Sequence, residues 1–306
     1  MSELEIIQHR KINGISVFFD TVEYRTSHFH PEWELIWILR GRLSVQCARQ
    51  RIEGVPGDLF LFSPNQIHEF RQLEGPATFL CLQVAPQCFE QSCPELQTVT
   101  AEDASVCQYL GEEQRKTLYM LLRMLMESYL DQEPFYALRC AGLCGEILHG
   151  LLTALPVHRM SKEERSSADK RNARLSRFLQ YVDENYMHKL SLADFAAAEG
   201  CTVSTLSHFL KQNLNQTFQE YVNTVRFHSS CRMIRSGGKR MLDICEAAGF
   251  SDYRYFSNTF KKQCGMTPEE YSKSSPDSAD LPQQKSIYSV ERFYSREESY
   301  KLLRTL

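Results

Sequence analysis

The chain has 306 residues, of which 42% are hydrophobic, a share that is typical of a globular protein and leaves room for two cores. Its net charge is −3, its start carries no signal-peptide pattern, and no apolar run reaches the roughly 18 residues of a membrane span, so we expect a cytoplasmic protein without a membrane anchor. Eleven cysteines without paired CxxC spacing indicate buried thiols, and neither a disulfide framework nor a cysteine-based zinc site.

The first part of the chain, residues 1–110, is predicted to form a small all-β barrel. Short apolar runs alternate with glycine and proline, which is typical of strands joined by tight turns. The predicted strands are Ile15–Asp20, Trp33–Leu39, Leu43–Cys47, Asp58–Phe62, Glu69–Gln72 and Thr78–Val84.

Residues 111–156 are predicted to form an antiparallel helical hairpin, with helices over Glu112–Leu130 and Pro134–Leu155. Each helix carries one apolar stripe at helical spacing. The stripes consist of Leu118, Leu121, Leu122, Leu125 and Met126 in the first helix and of Leu138, Leu143, Ile147, Leu148 and Leu151 in the second. We expect the surplus apolar surface to form a homodimer; packing of one helix on the β barrel is the alternative.

Two polar segments frame the last large domain. Pro156 ends the second helix, and residues 157–171 are charged and poor in apolar residues, as expected of a linker. Residues 274–306 are predicted to be a polar C-terminal tail with a short helix near its end.

Residues 172–273 are predicted to be all-α, with two helix pairs in tandem. Capping residues mark the helix starts, among them Ser191, Thr217 and Thr267, which Pro268 follows. The predicted helices cover 172–187, 192–198, 203–213, 218–236, 241–247, 253–263 and 268–273.

Each helix pair has the design of a helix-turn-helix, whose second helix enters the major groove of DNA. The helix over 218–236 joins the pairs and spans about 28 Å, close to the roughly 34 Å between successive major-groove faces. Although the whole chain is acidic, residues 171–273 hold 14 basic and 10 acidic residues, a net charge of +4 against −7 elsewhere. A locally basic domain suits phosphate contacts.

The exposed start of the second helix in each pair supplies the candidate DNA contacts. Arg254 can bond guanine and Asn258 adenine, whereas the lysines suit phosphate. The candidate DNA-binding residues are Val203, Ser204, Ser207, His208, Lys211, Tyr253, Arg254, Ser257, Asn258, Lys261 and Lys262. The alternative for any single one is an ordinary solvated helix face.

Residues 172–273 resemble the DNA-binding domain of AraC/XylS-type transcription regulators. The second half carries Gly249-Phe250-Ser-Asp, Tyr255-Phe256, Phe260-Lys261-Lys262, Gly265 and Thr267-Pro268-x-x-Tyr271. The looser first half matches at Leu192, Ala196, Ser204, Leu206, Phe209, Lys211, Phe218, Tyr221 and Arg226. The chain departs from the family at Asn215, where glycine is usual, and at Ser272, where arginine is frequent. The resemblance implies binding to double-stranded DNA, a small-molecule effector and no enzymatic activity.

The β barrel resembles a cupin, on the residues His28-Phe-His30, Glu34 and His68. In metal-dependent cupins such residues bind a divalent ion, and here three alternatives stay open: a polar ligand pocket, a metal site or structural histidines. We favour the pocket and predict no bound metal or other cofactor. The candidate effector-binding residues are His28, His30, Trp33, Glu34, Trp37 and His68, with Phe60 and Phe62 beside them. Aromatic side chains with a few polar groups suit small polar ligands, sugars among them.

The sequence therefore predicts an α+β protein, with a cupin-like β barrel and helical hairpin followed by an all-α domain with two helix-turn-helix motifs. The predicted function is that of a transcription regulator, activator or repressor, controlled by a small-molecule effector. The alternative is a metal-dependent cupin enzyme, which requires a bound metal and turnover.

Overall fold

A computed structural model of the chain describes residues 2–4, 11–47, 50–214, 216–235, 237–274 and 289–306. Contacts divide the chain into two compact units. The N-terminal unit comprises residues 4–169 and 290–306, and the helical unit comprises residues 170–289 together with residues 1–3. The last described segment therefore belongs to the N-terminal unit.

The N-terminal unit is built on an antiparallel sheet that forms a half-barrel. The strands of the chain are β1 (Ser2–Leu4), β2 (Ile15–Phe29), β3 (Trp33–Arg40), β4 (Leu43–Cys47), β5 (Gln50–Gly54), β6 (Leu59–Phe62), β7 (His68–Gln72), β8 (Ala77–Val84), β9 (Val99–Ala101), β10 (Val157–Arg159) and β11 (Ser289–Phe293). The main sheet has the strand order β5-β4-β7-β2-β8-β3-β6, and β11 pairs with β2.

Some of the α-helices pack against the sheet in the N-terminal unit, and the others build the helical unit. They are α1 (Glu112–Asp131), α2 (Tyr136–Ala154), α3 (Lys162–Asn185), α4 (Leu192–Ala198), α5 (Val203–Leu214), α6 (Phe218–Arg235), α7 (Met241–Ala247), α8 (Tyr253–Cys264), α9 (Pro268–Ser274) and α10 (Arg296–Leu303). Among the described residues, no helix is both long and apolar enough to cross a membrane.

Strand β2 has 15 residues and so is more than twice as long as predicted, because it pairs with two neighbours in turn. Its first half pairs with β8, with Ile15 opposite Val84, and its second half pairs with β7, with His28 opposite His68. The register shifts between Arg25 and His28, as at a β-bulge. After this irregularity, His28 near the end of β2 lies opposite His68 of β7.

The two faces of the sheet belong to different cores. On β3, Trp33 and Leu35 pack in the cluster that includes α1 and α2. The alternate residues Ile36 and Ile38 pack in a second cluster, together with Phe70 of β7 and its neighbours. Because side chains alternate along a strand, each core takes every second residue of β3.

Helix α6 is the centre of the helical unit. Val225, Ser229 and Ser230 are all buried, and the helix contacts α7, α8 and α9. Arg226 of α6 donates hydrogen bonds of 2.8 Å to the carbonyl oxygens of Tyr186 and His188, which follow α3. A helix buried on several sides cannot show the single apolar stripe of a surface helix.

Most predicted helices keep their bounds, and the largest difference is at the predicted linker. Residues 157–159 form β10, which pairs with β9, and α3 begins at Lys162, ten residues before its predicted start. The cause is a capping box: the amide of Glu164 donates to Ser161 Oγ at 3.1 Å, and the amide of Ser161 donates to Glu164 Oε2 at 2.7 Å. The polar composition of this segment reflects an exposed helix.

The predicted C-terminal tail also differs from its prediction. Residues 275–288 lie outside the described residues, as do Asn215 and Ser236, but β11 and α10 are ordered parts of the N-terminal unit. Leu302 and Leu303 are buried in the core cluster that contains α1. The Tyr300 hydroxyl donates to Asp131 at 2.6 Å. A few apolar residues in a polar segment were enough to anchor it.

Candidate functional site

The second helix of each pair is fixed at its start by a local cap. In α5, the amide of Thr205 donates to Thr202 Oγ1 at 3.1 Å. In α8, the amide of Tyr255 donates to the carboxylate of Asp252 at 2.7 Å, and the helix ends at Gly265 in the left-handed conformation. Side-chain caps of this kind set where a helix begins.

The turn of the second pair depends on Gly249. Its φ is +83°, and a Cβ atom there would lie 2.5 Å from the carbonyl oxygen of Tyr186. Only glycine meets both conditions without a backbone shift. The sequence motif at this glycine therefore reflects a close contact with the chain that follows α3, as well as the turn.

The candidate DNA contacts lie along one face of α5 and one face of α8, as their helical spacing requires. Nine of them are exposed, namely Val203, Ser204, Ser207, His208, Lys211, Arg254, Asn258, Lys261 and Lys262. Ser257 and Tyr253 are half-buried. Each helix pair therefore presents a continuous polar face with basic residues towards the C-terminal end of its second helix.

Tyr253 differs from the other candidates because its hydroxyl is already used. It donates a hydrogen bond to Glu269 of α9, and the ring lies edge-on to Phe256. Burial, followed by the hydrogen bond to Glu269, raises the pKa of the Tyr253 hydroxyl. Tyr253 therefore holds α8 against α9, and its hydroxyl is already engaged within the helical unit.

The first helix pair is held to α3 by a carboxylate shared between two arginines. Glu199 accepts two hydrogen bonds from Arg177, at 2.6 and 2.9 Å, and one from Arg174 at 3.1 Å. The hydrogen bond from Arg177, more than burial, keeps the pKa of Glu199 below its usual value. The carboxylate stays charged, so it clamps the end of α4 to α3 at neutral pH.

The second candidate site is a buried cluster of four side chains in the N-terminal unit. His28 is the second-last residue of β2, His30 follows the strand in the loop, Glu34 lies on β3 and His68 begins β7. Each residue offers one nitrogen or oxygen atom, and these four atoms all lie within 4.8 Å of one another. The structure thus brings together the four residues that the cupin resemblance singled out.

Glu34 is the centre of this cluster. Its Oε2 lies 3.0 Å from His30 Nε2 and accepts a hydrogen bond from Gln83 at 2.7 Å, while its Oε1 lies 3.3 Å from His68 Nε2. Burial alone would raise the pKa of Glu34, but the hydrogen bonds from His30 and His68 outweigh it and hold the pKa well below its usual value. For His28, burial and then the nearby His68 lower the pKa of the imidazole well below its ordinary value.

Backbone and side-chain acceptors fix the outer nitrogens of the three imidazoles. His28 Nδ1 lies 2.9 Å from the carbonyl oxygen of Thr26, and His68 Nδ1 lies 2.8 Å from that of Gln66. His30 Nδ1 lies 3.3 Å from a carboxylate oxygen of Glu32. These contacts turn the Nε2 atoms of His30 and His68 towards Glu34.

Trp33 and Trp37 do not belong to this cluster, which corrects the sequence-based expectation. The indole nitrogen of Trp33 donates to the carbonyl oxygen of Leu96 at 3.2 Å, and Trp37 stacks on Tyr119 of α1. Both lie on the helix-facing side of β3, opposite Glu34. The period of two along a strand already separates residues 33 and 37 from residue 34. Phe62 does join the cluster, and it stacks on His68 with 4.1 Å between ring centroids.

Gln83 and Glu32 also belong to the site, and neither was predicted from the sequence. Gln83 reaches Glu34 because β8 and β3 pair with these two residues in register. Pairing between distant strands cannot be obtained from local pattern. Glu32 lies only two residues after His30 in the sequence, but no known motif assigns a role to an acidic residue at this position.

Two helix pairs of helix-turn-helix design with exposed polar faces, together with a β-sheet unit that holds a buried polar cluster, are the features of a ligand-binding transcription regulator. The comparisons with known proteins agree. A family model described as an AraC-like ligand binding domain matches residues 12–148, and one described as a helix-turn-helix domain matches residues 195–274. The chain belongs to the AraC family of transcription regulators.

Several relatives span nearly the whole chain. The uncharacterized HTH-type transcriptional regulator YdeC of Bacillus subtilis is 22% identical over 281 residues, which cover 88% of this chain and 95% of that protein. The HTH-type transcriptional activator RhaS of Pectobacterium carotovorum is 23% identical over 253 residues, 79% of this chain and 85% of that one. Among solved structures, ToxT from Vibrio cholerae is 11% identical, with a TM-score of 0.44 over 85% of this chain and 97% of that one.

Proposed function

We propose that this regulator binds specific DNA sequences through α5 and α8 and that a small polar effector in the N-terminal unit controls the binding. The observation that carries the proposal is the pair of exposed polar helix faces, each at the second helix of a helix-turn-helix. Arg254 and Asn258 are exposed on α8 and have the side chains that read guanine and adenine.

Helix α6 supports simultaneous contact with two successive major grooves. It has 18 residues, which corresponds to about 27 Å. Helix α5 precedes the start of α6, and α8 follows its end after α7. The length of α6 is close to the roughly 34 Å between successive groove faces. We propose that α8 contributes most of the base preference, because the exposed polar candidates near the start of α5 are Ser204, Ser207 and His208, which read bases less decisively.

The effector proposal rests on the buried cluster of His28, His30, Glu34 and His68. Buried polar side chains that converge on one point are typical of binding sites. The tryptophans that would have suited a sugar lie on the other face of β3, so a sugar draws no support from them. To act as a switch, the effector must favour one arrangement of the protein by about 1–3 kcal/mol.

A homodimer through the helical hairpin is part of the proposal. Phe135 is 84% exposed and Leu138 is 75% exposed, at the start of α2, and Met120 of α1 is exposed as well. Leu138 had been predicted to lie on the inward stripe of its helix. Exposed large apolar side chains that lie close together, as Phe135 and Leu138 do, are typical of protein interfaces. We place the regulator in the cytoplasm, with the DNA, and assign it no catalytic step.

The proposal is tested by comparing two single substitutions on α8. The preferred DNA sequence is first selected from random duplexes with the purified full-length protein. Arg254→Ala should then weaken binding to that sequence by about 1–3 kcal/mol and relax the preference at one base pair. Lys261→Ala should weaken specific and random DNA alike and flatten the salt dependence.

Binding isotherms at several salt concentrations separate these outcomes. Equal losses on specific and random DNA for Arg254→Ala would refute its assigned role in base reading. A purified protein that selects no sequence, while turning over a substrate with a bound metal, would instead indicate the cupin enzyme.

A further inference from the structure

We propose that Asn223 of α6 is a positioning residue for DNA recognition, because it holds the Tyr255 hydroxyl and so sets the rotation of α8 about its own axis. The Asn223 amide donates a hydrogen bond to this hydroxyl, and both side chains are half-buried. Tyr255 directly follows Arg254 on α8, so the contact lies beside a residue that we assign to base reading. The inference rests on the proposed function, since it concerns how α8 meets the bases.

A second contact joins the far end of α8 to the next residue of α6. Gln263 Nε2 donates to Thr224 Oγ1 at 3.2 Å. The Thr224 hydroxyl itself donates to the carbonyl oxygen of Glu220 at 2.8 Å, so its oxygen can accept from Gln263. Tyr255 lies in the first turn of α8 and Gln263 in its last turn. Helix α8 is therefore attached to α6 near both of its ends, and the two contacts resist a turn of the helix.

The apolar side of α8 holds the helix against α6 but aims it less closely. Phe256 and Phe260 are completely buried, and the ring of Phe260 lies edge-on to Phe227 of α6 with 4.7 Å between centroids. Apolar burial is non-directional, whereas a hydrogen bond weakens steeply as its angle departs from a straight line. We therefore assign the place of α8 to its packing and the rotation of α8 to its polar contacts.

A small rotation of α8 is enough to disturb base reading. Side chains of an α-helix reach about 5–6 Å from its axis, so a turn of about 15° moves their tips by about 1.5 Å. Groups in a binding site must be held to within about 0.5 Å and about 10–20°. Arg254 and Asn258 lie one turn apart on the same face of α8, so both lose their bidentate geometry together.

The experiment compares Tyr255→Phe with Asn223→Ala in the full chain. Tyr255→Phe removes only the hydroxyl and keeps the ring, which lies edge-on to Phe250. The base pairs that α8 reads are those at which Arg254→Ala and Asn258→Ala relax the preference of the selected sequence. At those pairs we expect each variant to lower the discrimination by at least about 5-fold, the lower end for one bidentate contact. The other base pairs should keep their discrimination, and the salt dependence should not change because no charge changes.

Two further variants separate positioning from stability. Asn223→Asp can still accept a hydrogen bond from the Tyr255 hydroxyl, so it should keep the discrimination at those pairs, although its charge weakens binding to all DNA alike. The double variant Arg254→Ala with Tyr255→Phe should lose no more discrimination at the base pair of Arg254 than Arg254→Ala alone. The reason is that the hydroxyl acts there only through Arg254.

The matched control is Tyr186→Phe, which removes another tyrosine hydroxyl that contacts α6. Tyr186 Oη lies 2.9 Å from Ser229 Oγ, both side chains are buried, and Tyr186 follows α3 in the chain. Its loss should lower the midpoint of thermal unfolding and leave the base discrimination unchanged.

The outcomes distinguish this inference from the proposed function. This inference alone is overturned if Arg254→Ala relaxes the base preference but a folded Tyr255→Phe does not. It is equally overturned if Tyr186→Phe lowers the discrimination as much as Tyr255→Phe does. A full chain that selects no sequence would overturn the proposed function and this inference with it. If Tyr255→Phe does not fold, Asn223→Ala and Asn223→Asp decide, and equal discrimination in these two variants would overturn the inference.

Discussion

Gly249 shows how one residue sets the geometry of a helix pair. Its left-handed backbone places the end of α7 directly against the chain that follows α3, where a Cβ atom would meet Tyr186 and Met187. Gly200, in the turn of the first pair, has a similar φ of +63° but no atom within 4 Å of the Cβ position. Both glycines have a left-handed backbone, but only Gly249 is also in close contact with another part of the chain. Comparing them therefore distinguishes the cost of the backbone conformation from the cost of the contact.

Replacing these glycines by alanine should have unequal effects. Gly200→Ala should lower the free energy of unfolding by about 1–2 kcal/mol, the cost of a left-handed L-residue. Gly249→Ala should cost at least about 1 kcal/mol more, because the backbone of Met187 must also move. Urea unfolding followed by circular dichroism measures both values. Equal losses would show that the contact with Tyr186 carries no constraint.

The sequence predicted local contacts between single residues better than any other feature of the structure. The cap of α6 is an example: Thr217 and Glu220 exchange hydrogen bonds, from the Thr217 amide at 2.9 Å and from the Glu220 amide at 3.3 Å. Such contacts join residues three apart, so their spacing is visible in the sequence. Ser161 and Glu164 carry the same signal, and reading it would have placed the start of α3 correctly.

At the scale of elements, strand β11 was not predicted, because it lies in a C-terminal segment that the sequence analysis took for a polar tail. It pairs with β2, and the guanidinium of Arg25 donates to the carboxylate of Glu291 at 2.8 Å with both side chains buried. Phe293 packs against Phe18. Strand β5, also unpredicted, is polar and half exposed, as an edge strand can be. Both strands are defined by their partners more than by their own residues.

The buried ion pair of Arg25 and Glu291 predicts that replacing one partner lowers the free energy of unfolding much more than replacing both. Glu291→Gln removes the charge that faces buried Arg25 and should lower the free energy of unfolding of the N-terminal unit by about 3–5 kcal/mol. The double variant Arg25→Met with Glu291→Leu should lose much less, because no buried charge is left. Tryptophan fluorescence reports this unit alone, because Trp33 and Trp37 are the two tryptophans of the chain.

The exposed pair of Arg42 and Glu53 is the control, since their nitrogen and oxygen atoms also lie 2.8 Å apart. Glu53→Gln should cost less than about 1 kcal/mol. A similar small loss for Glu291→Gln would mean that β11 does not depend on its ion pair.

At the scale of the whole molecule, the helical unit lies between two parts of the N-terminal unit in the chain. Residues 4–169 precede it, and residues 290–306 return to the N-terminal unit after it. Both ends of the DNA-binding part are therefore connected to the ligand-binding part.

Cutting the chain at this point should affect the two units differently. A fragment of residues 170–275 should fold and bind DNA unaided, because the helical unit has its own core around α6. A chain that ends at residue 274 should lose at least about 3 kcal/mol of stability in its N-terminal unit, since Leu302 and Leu303 are no longer buried.

Circular dichroism of the fragment and tryptophan fluorescence of the shortened chain measure these outcomes. The full chain with Leu302→Ala and Leu303→Ala is the matched control and should lose stability in the same unit. An unchanged fluorescence midpoint in the shortened chain would contradict the role given to the C-terminal segment.

The sequence by itself determined the α+β class, the bounds of helices α4 to α9 to within one residue, and the four side chains of the buried cluster. The class and the helices follow from local spacing, because helical periods and caps join nearby residues in any context, whereas the four cluster residues were selected by the resemblance to cupins. Only the tertiary structure decided that Trp33 and Trp37 face away from Glu34, that Gln83 supports it, and that the last residues return to β2. Those facts depend on which distant strands pair, and strand pairing is chosen by the packing of the whole unit.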